Sequence, residues 1–265
     1  METQGAARLR AAAEAAEQIL AKYPKDGVPE DYVDIRLLSR SLSVRVLWLP
    51  HVSGRARLVP RKDGFTVYAT SYGSKQSAAG TWNHPRARMD LAHELAHTLF
   101  YSWDEDVPTR QFPVSADEEH FCFDAARRIL APEWLITYLS KSTRDIRNLY
   151  DLLCRRGRIS RPTAARLLLS DYGLARGVAG RWRRLDQKWR LQPGTAIASS
   201  NLSVPERQAF RAQALRYLSG EAPSPRYAID LRKQSDESAF VMVVLDMSTT
   251  QGQLSFALAA SGVHQ

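Results

Sequence analysis

From Ala6 to Ala21 apolar positions recur at helical spacing among Arg8, Arg10, Glu14 and Glu17, the pattern of an amphipathic helix. Pro29-Glu30-Asp31 opens a second expected helix to about Arg40, because proline fits a first turn and acids favour the positive N-terminal end. The period falls to two over Ser43–Leu49, which reads as a strand. Another is expected at Phe65–Thr70, after the turn signal Lys62-Asp63-Gly64. A strong helical pattern runs from Arg86 to Tyr101, and the acidic, proline-punctuated Ser102–Pro113 reads as a loop. Ser115 with Glu118 three residues on has capping-box spacing, so a helix starts there and continues to Leu130, where Ala131-Pro132 ends it.

Beyond that, arginine-rich helical patterns extend to about Trp189. The last third changes character. Arg226–Leu231, Ala239–Asp246 and Gln253–Ala259 look like strands between polar turns. The expected class is α+β in three segments: a mostly helical domain with a small sheet over 1–135, a basic helical region over 136–190, and a small α+β domain over 191–265. A chain of 265 residues is long enough for more than one such unit.

Composition adds little to this. An apolar fraction of 44% with 25% charged residues describes an ordinary globular protein. Gly5–Tyr23 carries too many charges for a signal peptide, and no uncharged run reaches the roughly 18 to 20 residues of a membrane span. A soluble, cytoplasmic protein without a membrane partner is expected, which fits a secreted degradative protease poorly. Cys122 and Cys154 fall in helical patterns and read as reduced structural thiols. Charge is more informative. The formal net charge is +9, and Lys141–Arg190 holds fourteen Lys/Arg against four acids, a local +10 that accounts for the whole excess.

The chemistry is carried by His93-Glu94-Leu95-Ala96-His97, HExxH on a helix. A separation of four puts both imidazoles on one face, one turn apart, where two nitrogens can grip one ion. Glu94 lies about 100° round the helix, placed to take a proton from water as a general base. Leu91, Ala92, Leu95, Ala96 and Leu99 make the rest of the helix apolar, which suits a buried element better than a solvated one. A catalytic zinc uses three protein ligands, so a third donor is needed. Residues 98–103 hold neither the glycine nor the histidine of the His-x-x-Gly-x-x-His extension, which excludes that ligand set. Asp104, Glu105 and Asp106 come too soon. Glu119 starts a stripe through Cys122, Ala126 and Ile129 that faces the core, whereas neighbouring Glu118 points about 100° away and reads as cap or surface charge. For the oxyanion donor, Tyr101 and His120 both stay open.

At these residues the chain resembles the ImmA/IrrE metallopeptidases, through Arg88-Met89-Asp90-Leu91-Ala92-His93-Glu94-Leu95-Ala96-His97 and the stretch from Glu119-His120-Phe121-Cys122 to Leu130-Ala131-Pro132. It departs from that pattern at Asp90, Phe123 and Ala125. The resemblance covers roughly residues 30–170, includes a helix-turn-helix-like stretch at Arg158–Leu167, and makes Glu119 the third ligand of a single Zn2+. It implies a zincin-like domain that cleaves a helix-turn-helix repressor and so induces a stress, phage-defence or mobile-element programme. It also implies a C-terminal GAF-like sensor and activation by single-stranded DNA.

For the basic segment, one reading is a set of solvated helix faces. The other is a nucleic-acid groove, with Arg155, Arg156, Arg158, Arg161, Arg181, Arg183, Arg184 and Arg190 on phosphates and Trp182 and Trp189 as stacking platforms. The latter allows a rival function, a DNA-binding regulator that keeps a zinc site without proteolysis.

Overall fold

The computed structural model describes residues 4–24, 31–50, 56–72, 78–103, 106–113, 115–143, 145–222, 224, 226–235 and 237–245. The fold is α+β and divides into two compact units: Met1–Tyr138 with Arg155–Ile159, and Leu139–Cys154 with Ser160–Gln265. No helix among the described residues is long and apolar enough to cross a membrane.

In the first unit, α1 (Gln4–Leu20) buries Ala12, Ala15, Ala16 and Ile19 and packs on α5 (Ala116–Leu130). Arg8 Nε reaches Asp124 Oδ2 at 2.8 Å across that contact. The second helix, α2 (Ile35–Ser41), begins later than its sequence signal suggests: Asp34 caps it by accepting from the Arg36 and Leu37 N–H groups, and 31–34 are not helical. Pro29 and Glu30 lie outside the described residues. The expected strands form as β1 (Val44–Leu49) and β3 (Gly64–Thr70), paired in parallel with Val44 opposite Phe65. The sequence reading lacked β2 (Ala56–Arg61), antiparallel to β3 at the edge of the sheet. Its Pro60 cannot donate to a ladder and is at home only on such an edge. Gly64 closes the β2–β3 turn at φ +148°, where a Cβ would stand 2.2 Å from the Ser43 carbonyl oxygen.

After α3 (Ala78–Asn83), α4 (Pro85–His97) runs through the centre of the unit against β2, β3 and α5. All its residues from Ala87 to His97 except Met89 are buried, so this helix is enclosed on nearly every side. It stops four residues before the expected Tyr101: a 3-10 turn spans Thr98–Phe100, and β4 (Tyr101–Ser102) pairs with β5 (Thr109–Arg110) inside the expected loop.

After α6 (Glu133–Ser140), most of which belongs to the first unit, come α7 (Ile146–Arg155) and α8 (Arg161–Arg166), and a π turn covers Leu167–Asp171. The expected helices up to Trp189 are then corrected to β6 (Gly177–Leu185) and β7 (Lys188–Leu191), a hairpin. The physical reason is a period of two. Arg181, Trp182 and Arg183 alternate exposed, buried, exposed, and Gly177 lets the strand approach its neighbour so closely that a Cβ there would lie 2.2 Å from the Val243 oxygen. The sheet has order β7-β6-β10-β9, with β8 (Ile197–Ala198) also on β6, and the expected terminal strands appear as β9 (Tyr227–Ser235) and β10 (Ser238–Leu245). The strand expected at Gln253–Ala259 lies outside the described residues. One face of the sheet is covered by α9 (Val204–Leu218), whose Phe210 and Ala214 join Val178, Trp182, Val241 and Val243 in a core.

Candidate metal centre

Two helices bring the chemistry together. α4 presents His93 and His97 one turn apart, ring centroids 4.8 Å from each other, and α5 supplies Glu119 from its first turn. That turn carries Asp117, Glu118 and Glu119, where carboxylates meet the positive end of the helix, and Ser115 caps it by accepting from the Glu118 N–H at 3.1 Å. Phe123, one turn beyond Glu119, lies against the His93 ring at 4.0 Å.

Donor atoms of three side chains converge. His93 Nε2 is 3.1 Å from His97 Nε2 and 3.2 Å from Glu119 Oε2, and His97 Nε2 is 3.3 Å from Glu119 Oε1. A tetrahedral ion with bonds of roughly 2.0–2.1 Å spaces its donors about 3.3–3.4 Å apart, so these residues fit one small cation. Orientation supports the same reading. His97 Nδ1 lies 2.7 Å from Glu118 Oε1, which turns the ring so that Nε2 faces the other donors.

That contact corrects the expectation for Glu118. It is neither a surface charge nor a reciprocal cap: its side chain is 4% exposed, held on one side by His97 and on the other by Arg110 Nη2, which engages both its oxygens. Arg110 reaches it because β5 pairs with Tyr101, just past the end of α4. Nothing within the helix signals this, because the partner that draws Glu118 inward, Arg110, lies on β5. His97, Glu118 and Cys122 form a second group of possible ligands, with Cys122 Sγ 3.5 Å from His97 Nδ1. It fits a cation poorly: Arg110 already occupies Glu118, and burial, then the nearby carboxylates, push the Cys122 thiol well up.

Glu94 stands beside the donors in a cleft of about 570 Å3 lined also by Leu58, His93, His97, Tyr101, Arg110 and Glu119. Its Oε2 accepts from the Leu58 N–H of edge strand β2 at 2.7 Å. Burial pushes its pKa up to about 7; the Leu58 N–H works against this, and the charges of Glu119 and Asp90 add to it. Of the two oxyanion candidates, Tyr101 lines the cleft, whereas His120 is exposed and does not.

The ten residues expected to bind nucleic acid fall in both units and differ in their surroundings. Arg155 and Arg156 are exposed near the end of α7. Arg158 stacks 3.8 Å over Tyr32 and donates to Asn83 Oδ1, and Arg161 pairs with Asp230 at 2.8 Å and Asp151 at 3.5 Å. Trp182 is corrected from stacking platform to core residue, 4% exposed, and Trp189 is half-buried against the same core. Arg181, Arg183, Arg184 and Arg190 remain, all exposed on the β6–β7 hairpin. Both cysteines are free thiols.

Fold and site together define an α+β protein with a candidate centre of two histidines and a carboxylate. No family model and no curated protein matches the chain. Among solved structures it is similar in fold to a Mycobacterium tuberculosis transcriptional regulator, with TM-score 0.51 and 12% identity over 96% of this chain and 80% of that one.

Proposed function

We propose that the chain is a zinc-dependent endopeptidase of the ImmA/IrrE kind, with a zincin-like first unit and a GAF-like second unit, acting in the cytoplasm on a helix-turn-helix repressor. The observation that carries this reading is the convergence of His93, His97 and Glu119 donors at 3.1 to 3.3 Å beside Glu94, within one open cleft. Bound there, Zn2+ supplies Lewis acidity, lowering the pKa of water and polarising a carbonyl. Glu94 takes a proton from the attacking water, and the Leu58 N–H keeps its carboxylate from turning away. Tyr101, which lines the cleft, donates to the developing oxyanion. Glu118 orients the His97 ring so that Nε2 faces the other donors, and Arg110 holds Glu118 in place.

The experiment is co-expression with neighbouring gene products, fragment analysis by mass spectrometry, and metal analysis of the purified protein. Stoichiometric zinc and a cut partner are expected. Glu94→Gln should keep the zinc and abolish cleavage. A protein without metal would refute the reading.

A second reading, a DNA-binding regulator that keeps a zinc site without proteolysis, is favoured by the similarity in fold to a transcriptional regulator. It requires that Glu94→Gln leave repressor control intact.

A further inference from the structure

The β6–β7 hairpin concentrates exposed cations. In register, Arg183 stands directly opposite Arg190, and Leu185 opposite Lys188. Side chains alternate along a strand, so Arg181, Arg183, Lys188 and Arg190 share one face, with Arg184 on the other. All five cations are exposed, and none is in an ion pair among the described residues. Asp186 sits in the turn, and Glu237 meets the hairpin through its backbone oxygen, which accepts from the Arg184 N–H. Serine occupies the next two positions across the sheet from Arg183, Ser238 on β10 and Ser235 on β9.

Like charges directly opposite one another on a sheet are destabilising, and no ion pair among the described residues relieves this one. The arrangement suits an external polyanion. Arg181 and Arg183 are about 6.6 Å apart along the strand, so successive cations can meet successive charges of a backbone. The aromatic residues decide which polyanion. A single-stranded nucleic acid is held partly by stacking on exposed rings. Here Trp182 is buried and Trp189 packs against the core, so the cationic face offers phosphate contacts without stacking. Under that condition a duplex is favoured, because each neutralised phosphate releases about 0.9 counterion from B-DNA and about 0.7 from a single strand.

We infer that the β6–β7 hairpin is a docking surface for double-stranded nucleic acid, held through its phosphates by Arg181, Arg183, Lys188 and Arg190. The hairpin and the metal donors belong to different units, so metal-stripped protein should bind equally well. Four contacts give a slope of log K against log salt of about −3.6, so affinity should fall roughly 100-fold between about 50 and 200 mM salt.

The test is fluorescence anisotropy of the full chain with a labelled duplex of about 20 base pairs, its separated strand, and anionic phospholipid vesicles. The expected order is duplex first. Arg183→Gln with Arg190→Gln should make the slope shallower by about 2, with an unfolding midpoint unchanged or raised; Arg183→Lys with Arg190→Lys should keep the slope. Arg155→Gln with Arg156→Gln should change neither. The inference is overturned by an unchanged slope in the folded Gln variant, by tighter binding to single strand or vesicles, or by no binding at low salt.

Discussion

Replacing Glu118 tests how the centre is built, because it touches no cation and yet should control how tightly one is held. The side chain is 4% exposed and gives His97 Nδ1 a charge-assisted acceptor at 2.7 Å. Losing such a contact to a ligating histidine costs about 10- to 100-fold in metal affinity, or roughly 1.4 to 2.7 kcal/mol. Glu118→Ala should lie at the upper end, since it also leaves a buried imidazole N–H without its acceptor, a cost of about 1 to 3 kcal/mol. Glu118→Gln keeps an oxygen for His97 and loses only the charge, so about 10-fold is expected. Glu119→Ala should exceed both by removing a donor, and Cys122→Ala should leave affinity unchanged. The assay is competition for Zn2+ against a chromogenic chelator, with circular dichroism melts to show that each variant is folded. Wild-type affinity in folded Glu118→Ala would refute the role given to that carboxylate. Retention of zinc by Glu119→Ala with loss in Cys122→Ala would place the cation in the other group of ligands.

Three further outcomes follow from single contacts. Leu58→Pro deletes the N–H that Glu94 accepts; it should lower kcat about 10-fold with KM and zinc content unchanged, as steady-state kinetics would show. Gly64→Ala puts a Cβ 2.2 Å from the Ser43 oxygen at φ +148° and should cost at least about 1 to 3 kcal/mol in urea unfolding. Ser203→Ala breaks the capping box of α9 and should lower the unfolding midpoint at neutral pH. Because Ser203 holds Glu206 below its usual carboxylate range, that contribution is present above the unfolded pKa near 4.3 and lost as pH falls through the folded value. The midpoints of wild type and variant should therefore converge in acid.

What the sequence made legible is what depends on near neighbours. The His93–His97 pair, the Ser115 cap and the inward stripe from Glu119 each have a period or spacing that local geometry enforces, and each forms where expected, as does strand β1. The rest fails for one shared reason: a residue's role was set by a partner distant in sequence. Ser115 and Glu118 have capping-box spacing, and the backbone half of that motif forms. The side-chain half does not, because Arg110 arrives on a strand whose position depends on Tyr101 and offers a charged partner in place of a neutral N–H. Trp182 and Trp189, seven apart, suit a helix as well as a hairpin, and the choice rests on strand β10, which pairs with β6 more than fifty residues later in the chain. The same strand buries Trp182 while leaving Arg181 and Arg183 outside. One long-range pairing thus removes an aromatic stacking platform and, in the same step, lines the arginines up on a single face.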